Sequence, residues 1–334
     1  MMLTAMFARR FVLLAVSLGA LGVASAAAAH TRVAEGAERQ VNGRISFGRF
    51  DPSLGDVSLW TARADGSHQR RLTPVVSFFS DWAPSGRRIA FDFVDNTGEH
   101  IATISPSGRH MRQITFGAGF QEVPKWSPSG RLITFDASPV LPDVPGFHTS
   151  IWVMRADGSH QRQVTHQGFD VEPVFSPDST KIAFGRITGA NANGDQLEAV
   201  YVVDVDGSHP HRVVAPTAGL EHPDWSPNGR WISFNIAPEA AHARGAGSIL
   251  AIHPDGDGLH TLRRRTQRFR FYKPVWSPDG RKLLSGCFDV SAGTENLCVL
   301  RPDTGTLAVV INGSPNPVNF PAWGPRPDRE NDPS

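Results

Sequence analysis

The chain has 334 residues and a formal net charge of +1, from 33 basic and 32 acidic side chains. This near-neutral balance argues against a protein that binds nucleic acid in bulk. The two cysteines form neither a CxxC pair nor a larger set, so a cysteine-based metal site is not expected.

The first predicted element is an export signal over residues 1–29. Arg9 and Arg10 form its charged start, Phe11–Val23 is its apolar core, and Ala24 to Ala26 offer small residues for cleavage. The apolar run is short for a membrane span, so we expect cleavage, with an uncleaved anchor as the alternative. We therefore expect an exported protein, periplasmic or secreted, with no transmembrane segment in the mature chain. A linker over residues 30–41 follows.

Two phrases then repeat in step along the chain. The first is an aromatic residue, a Ser-Pro turn and a strand, as in WSPSGRLITF from Trp126; the second is a hairpin phrase such as RADGSHQRQVT from Arg155. The aromatic anchors of the first phrase recur every 44 to 51 residues, at Trp82, Trp126, Phe175, Trp225, Trp276 and Trp323. Each repeat predicts four short antiparallel strands, and repeats of this length in series indicate a β-propeller.

Six copies predict an all-β, six-bladed propeller of four-stranded blades over residues 42–326, with a tail over residues 327–334. The last copy, AWGPRP from Ala322, has no strand after it, whereas NGRISFGRF from Asn42 matches the second strand of the other repeats. We therefore expect Phe320–Trp323 to be the inner strand of a blade whose other three strands come from residues 43–73. This pairing of the chain ends would close the ring and cover an exposed edge.

The W-S-P-D-G-R phrase together with the A-D-G-S-x-x-R-Q-L-T phrase resembles the WD-like propeller repeat of the TolB family, over about residues 42–326. TolB is a periplasmic component of the Tol–Pal envelope system. The repeat also occurs in prolyl oligopeptidase-like and tricorn-like peptidases and resembles that of oligogalacturonate lyase. The chain departs from TolB in that TolB carries an α/β domain before its propeller, whereas the predicted propeller here begins at residue 42.

Motifs of catalysis are missing from the sequence. It contains no G-x-S-x-G, Walker loop, G-x-G-x-x-G or H-E-x-x-H, so the peptidase resemblance predicts a fold without an activity. Histidines recur in the hairpin phrase, as at His68, His160 and His209. The outer hairpins of different blades are far apart, so we expect solvated turn residues that share no metal ion.

The candidate ligand-binding site lies where the chain enters the inner strands, at the mouth of the axial channel. This loop face also carries the long, variable connections, and irregular loops on a rigid scaffold commonly bind ligands. The candidate residues are Glu122, Asp170, Glu172, Glu221, His222, Tyr272 and Lys273. They would bind a polar ligand or a divalent cation, or else form a hydrated channel lining. No other cofactor is expected.

Two further features complete the predictions. The run RRRTQRFRFYK is either a solvated loop or a docking site for an anionic partner, through Arg263, Arg264, Arg265, Arg268 and Arg270. Cys287 and Cys298 lie on predicted neighbouring strands, and an exported protein can keep a disulfide between them.

The leading functional hypothesis is a monomeric, non-catalytic propeller that binds a protein or an envelope polymer. The alternative is a metal-dependent lyase- or hydrolase-like enzyme that uses the acids of the channel mouth.

Overall fold

The computed structural model describes residues 42–141, 146–238 and 245–327. The predicted export signal, the linker over residues 30–41 and nearly all of the C-terminal tail lie outside these ranges. Within them, 25 β-strands carry the regular structure. No helix in the described ranges is long and apolar enough to cross a membrane.

The strands follow the repeats, four to a repeat, with the innermost strand first. The repeat that joins the chain ends contains β25 (Val318–Pro325), β1 (Asn42–Asp51), β2 (Asp56–Arg63) and β3 (Arg70–Arg71). The next contains β4 (Ser80–Trp82), β5 (Ile89–Val94), β6 (Gly98–Ile104) and β7 (Arg112–Gln113). It is followed by β8 (Gly119–Trp126), β9 (Leu132–Ser138), β10 (Ser150–Arg155) and β11 (Arg162–Gln163).

The second half of the chain repeats the same order. The fourth group contains β12 (Phe169–Phe175), β13 (Lys181–Ala190), β14 (Gln196–Asp204) and β15 (His211–Arg212), with an extra short strand, β16 (Thr217–Ala218). The fifth contains β17 (Leu220–Trp225), β18 (Ile232–Ile236), β19 (Ser248–Ile252) and β20 (His260–Arg263). The sixth contains β21 (Phe269–Trp276), β22 (Leu283–Asp289), β23 (Thr294–Leu300) and β24 (Leu307–Ile311).

The sheet count differs from the expectation of six separate blades. The described strands form five hydrogen-bonded sheets, because the β4–β7 and β8–β11 groups share one eight-stranded sheet. They are joined by a short parallel pairing of β6 with β8, Gly98 with Gly119 and Glu99 with Phe120. A Cβ on Gly98 would lie 2.0 Å from the Gly119 carbonyl oxygen, so only glycine allows this approach. Within each sheet the four-stranded groups are antiparallel, as predicted.

The apolar core lies between neighbouring groups. The described residues form six hydrophobic clusters, each with members from two successive groups of strands. Trp225, for example, is 8% exposed and packs in one cluster with Val174 and Val202 of the preceding group. The inner strands β4, β8, β12, β17, β21 and β25 contact one another in a closed ring. The aromatic anchors are therefore part of the packing between groups, which explains why the phrase recurs.

The predicted closure of the ring is confirmed. Strand β25 pairs antiparallel with β1, with Trp323 opposite Ile45 and Ala322 opposite Ser46. The sheet runs in the order β25-β1-β2-β3, so the C-terminal strand is the innermost and the N-terminal residues supply the other three.

The two cysteines lie on the paired strands β22 and β23 and form a disulfide with a Cα–Cα distance of 5.9 Å. They are diagonal neighbours: Cys287 is opposite Asn296, and Cys298 is opposite Ser285. Both side chains are fully buried in the apolar cluster around Phe271 and Leu283. The disulfide is thus a core contact as well as a crosslink.

Candidate functional site

A strained backbone position recurs on the inner strands, three residues before each aromatic anchor; we call it the mouth position. Five of its six residues have a left-handed φ between 49° and 56°, namely Val123, Glu172, His222, Lys273 and Phe320. A register shift of the inner strand accompanies each of them. Such conformations cost about 1–3 kcal/mol each and cluster at functional sites. Proline follows the residue in all five cases. The repeats in the sequence therefore mark the mouth position, and the sequence analysis did not use this mark.

The mouth position divides into a polar and an apolar arc. Around the ring of inner strands, Glu172, His222 and Lys273 are consecutive, and Phe320, Phe79 and Val123 complete the circle. Phe79 precedes β4 and has no left-handed φ; its backbone N–H donates to the Asp92 carboxylate instead. The sequence predicted the residues of the polar arc and missed those of the apolar arc.

Glu172 and His222 form the most direct contact of the polar arc. One carboxylate oxygen of Glu172 lies 2.6 Å from His222 Nδ1, and the other accepts the His222 backbone N–H at 2.6 Å. The Glu221 carboxylate lies 3.8 Å from His222 Nε2. The predicted meeting of Glu172, Glu221 and His222 is therefore observed, and the imidazole lies between two carboxylates.

Lys273 is the unusual member of the arc. It is 7% exposed, and its Nζ lies 3.6 Å from the centre of the Phe79 ring and 4.4 Å from that of Phe320. No described residue forms a hydrogen bond with this Nζ. Burial lowers the pKa of the Lys273 ammonium from 10.5 to about 7. The backbone N–H of Lys273 donates to Asn235 Oδ1 at 2.8 Å, which fixes the start of the side chain.

An acidic cluster, missed by the sequence analysis, lies next to Phe79 of the apolar arc. Oxygens of Asp92, Glu99 and Glu122 lie within 4.8 Å of one another, and all three residues are buried. Asp92 accepts the backbone N–H groups of Phe78 and Phe79. Burial, with a contribution from Glu122, raises the pKa of Asp92 to about 7. Oxygen ligands of this kind suit Ca²⁺ or Mg²⁺.

Glu122 was predicted to lie with Glu172 and His222 at the channel mouth. The structure places it in the acidic cluster with Asp92 and Glu99, and both Glu122 and Glu172 act on the charge of Lys273. Glu99 could have been found from the repeats, because Glu99, Glu198 and Glu295 share one position on the third strands. Asp92 lies on a second strand, where the other repeats carry Asp, Asn or Gly, so its pattern is weaker.

A second charged layer lies further along the inner strands, at the residue before the anchor, which is charged in three of the six repeats. Lys125 Nζ lies 3.6 Å from the Asp81 carboxylate, and Asp81 also accepts the backbone N–H of Trp126. Asp224 accepts the backbone N–H of Trp276 at 2.7 Å. Burial raises the pKa of Asp224 to about 6, and Lys125 partly offsets this effect. The channel therefore carries charge at two levels.

The remaining predicted site residues have structural partners. Asp170 is buried and makes a two-point ion pair with Arg186, at 2.6 and 2.8 Å. The Tyr272 ring lies over Gly286, where a Cβ would be 2.1 Å from the ring.

The basic loop, residues 263–273, makes several contacts through its arginines. Arg268 pairs with Asp289 at 2.7 Å, Arg263 donates to the Gly305 carbonyl at 2.9 Å, and Arg270 donates to the carbonyl of Thr266. The side chains of Arg264 and Arg265 are exposed. The turn histidines His68, His110, His160, His209 and His260 are all exposed, as expected for solvated turns.

Curated relatives of the chain include TolB proteins. It is 33% identical to the Tol-Pal system protein TolB of Gluconobacter oxydans over 115 residues, 34% of this chain and 24% of that protein. It is 23% identical to an uncharacterized protein of Agrobacterium fabrum over 202 residues, 58% of this chain and 64% of that protein. The chain thus aligns with less than two thirds of either relative. No protein-family model matches it.

Solved structures show the same architecture. TolB from Acinetobacter baumannii superposes with a TM-score of 0.68 and 18% identity, covering 85% of this chain and 67% of that one. The fold is a TolB-like β-propeller. A second propeller of similar fold is an oligogalacturonate lyase in complex with manganese, with a TM-score of 0.51 and 14% identity over 81% of this chain and 74% of that one. At these identities the TolB-like propeller shares a fold with both proteins, and the likeness extends no further.

Proposed function

We propose that this chain is an exported, six-bladed TolB-like propeller that binds a protein or an envelope polymer through its loop face and channel mouth, without catalysing a reaction. The count of six takes the two halves of the eight-stranded sheet as separate blades. The export signal in the sequence supports the location, and the TolB relatives support a binding role.

The observation that carries the proposal is the strained polar arc. Three left-handed residues bring a carboxylate, an imidazole and an ammonium to one end of the channel. The left-handed backbone itself does not require charge there, since Val123 and Phe320 hold the same conformation with apolar side chains. A buried charge is costly unless it is paired and hydrogen-bonded, and the Lys273 ammonium has no hydrogen-bond partner among the described residues. Phe116, 73% exposed on a loop between blades, adds apolar contact area on the same face.

The proposal is tested by a comparative pull-down from envelope extract. The mouth variant Glu172→Gln/Glu221→Gln removes two charges and keeps oxygen acceptors, including one for the His222 backbone N–H. Its matched control, Asp157→Asn/His160→Gln, alters an exposed outer hairpin. We expect the wild type and the control to recover the same partner, and the mouth variant to recover at least tenfold less. Equal recovery by all three proteins would contradict the assignment of the mouth.

A second candidate function, a metal-dependent lyase- or hydrolase-like enzyme, is favoured by the acidic cluster of Asp92, Glu99 and Glu122. The manganese-containing lyase of similar fold adds support at the level of architecture. Metal analysis after dialysis against Mn²⁺ or Ca²⁺ tests this candidate. It predicts one bound ion per chain, lost in Glu99→Gln, and formation of an unsaturated product from oligogalacturonate. A metal-free wild-type protein would rule it out.

A further inference from the structure

The Lys273 ammonium is buried beside two aromatic rings, and we call this site the box. Two aromatic rings, Phe79 and Phe320, approach its Nζ to 3.6 and 4.4 Å. Ring faces attract cations, and more strongly where the cation is desolvated, as it is at 7% exposure. An ammonium also carries three hydrogen-bond donors, and no described residue accepts one from Lys273.

The surrounding charges favour a cation in this box. The carboxylates of Glu172, Asp92 and Glu122 all stabilise the charged form of Lys273, in that order of size. Lys125 acts against it. These carboxylates oppose the effect of burial, which is larger and lowers the pKa of the ammonium.

Lys273 is an imperfect occupant of this site. It supplies the positive charge that the rings and the carboxylates favour, but it leaves its donors unsatisfied, which is costly for a buried ammonium. The Lys273 side chain is also only partly protonated near neutral pH, because burial lowers its pKa to about 7.

We propose that Phe79, Phe320 and the carboxylates around them form a cation cage that Lys273 occupies in the free protein, and that a basic side chain of the partner takes over. The chemical class of the ligand is an alkylammonium or guanidinium group. The identity of the partner rests on the proposed function, whereas the cage itself is a property of this chain alone.

The cage is tested with n-butylammonium, which reproduces the end of a lysine side chain, and with n-butanol as its neutral counterpart. Lys273→Met removes the built-in cation and keeps an unbranched side chain; Lys282→Met, outside the cage, is the matched control. We expect Lys273→Met to bind n-butylammonium at least tenfold more tightly than the wild type and the control, and n-butanol no better than they do. Adding Phe320→Ala should abolish the gain.

A measurement on the wild-type protein keeps the test open if Lys273→Met fails to fold. The chain has four lysines, Lys125, Lys181, Lys273 and Lys282, so biosynthetic ¹³C-lysine labelling gives four resolvable ε-methylene signals. Ring currents from Phe79 and Phe320 should shift the Lys273 signal upfield. Saturating n-butylammonium should move it to the position of the other lysines, which themselves should not change.

Two outcomes overturn the cage: an unshifted Lys273 signal in the free protein, or n-butylammonium binding that is the same with and without Lys273. A failed pull-down with intact n-butylammonium binding would contradict the proposed function and leave the cage standing. A successful pull-down without n-butylammonium binding would do the reverse. Comparing peptides that carry lysine or arginine then distinguishes the two sources of the cation.

Discussion

At the scale of single residues, the Glu172 carboxylate has two contacts with His222, one to the imidazole and one to the backbone N–H, which a repeat pattern cannot separate. The sequence places Glu172 and His222 at one repeat position, outside the packing phrase, and predicts that replacing both by alanine leaves the melting temperature nearly unchanged. In the structure the Glu172 carboxylate accepts the partly buried His222 backbone N–H. The sequence could give the meeting of the two side chains but not this backbone contact, which depends on the strained φ of His222.

We therefore expect Glu172→Ala to lower the free energy of unfolding by about 1 kcal/mol, the lower end of the cost of leaving a buried donor unsatisfied, because this donor is only partly buried. Glu172→Gln should lose less, because its oxygen still accepts the N–H. Glu221→Ala, on a more exposed side chain, should stay within about 0.5 kcal/mol of the wild type. Urea denaturation of the three variants checks the order. A loss in Glu221→Ala equal to that in Glu172→Ala would show that the hydrogen bond is not the cause.

Lys273 and Asp92 give opposite pH dependences of stability. The folded-state pKa of Lys273 is lowered to about 7, so between about pH 7 and 10.5 the unfolded chain binds more protons and stability rises with pH. The folded-state pKa of Asp92 is raised from 3.8 to about 7, so between those values the folded chain binds more protons and stability falls as pH rises.

The difference in urea midpoint between wild type and Lys273→Met should therefore grow in favour of the wild type from pH 7 to pH 9. The difference between wild type and Asp92→Asn should shift against the wild type from pH 5 to pH 7. Differences that do not change with pH would mean that neither group is perturbed by the fold.

At the scale of elements, the sequence predicted strands well where the repeats are explicit. The two phrases mark the turns, so the four strands of each group follow from alternating apolar residues between them. The merging of β6 with β8 could not be predicted, because it depends on the close backbone approach of Gly98 and Gly119. The acidic cluster was missed for a related reason: its members come from three strands in two repeats, outside either phrase.

The disulfide between β22 and β23 is an element-scale prediction with a measurable cost. It closes a short loop of sequence separation 11, so its loss should cost about 3 kcal/mol in the chain-entropy model. Cys287→Ala/Cys298→Ala should show this loss in guanidinium denaturation without reducing agent. The same variant under reducing conditions should match the reduced wild type, since both then lack the crosslink. Two free thiols in the denatured, unreduced wild type would contradict the bond.

At the scale of the whole molecule, closure makes the six apolar clusters of the described residues interdependent. The cluster that contains Trp323 also includes Ile45 and Phe47 from β1, and Val275 and Leu284 from the preceding group. The N-terminal strand therefore contributes to a core that extends beyond its own sheet. In an open array of repeats each unit depends on its neighbours alone, and the end units are only half supported.

Deleting β1, residues 42–51, should therefore do more than remove one strand. It exposes the hydrogen-bonding edge of β25 and opens the cluster around Trp323, which leaves two unsupported ends in the ring. We expect the single cooperative unfolding transition to split or broaden and the protein to aggregate on heating. Deleting residues 328–334 as a control should change neither. Calorimetry and light scattering on the same samples distinguish the outcomes, because an unchanged, single transition after loss of β1 would mean that the ring keeps its cooperativity without the pairing of its ends.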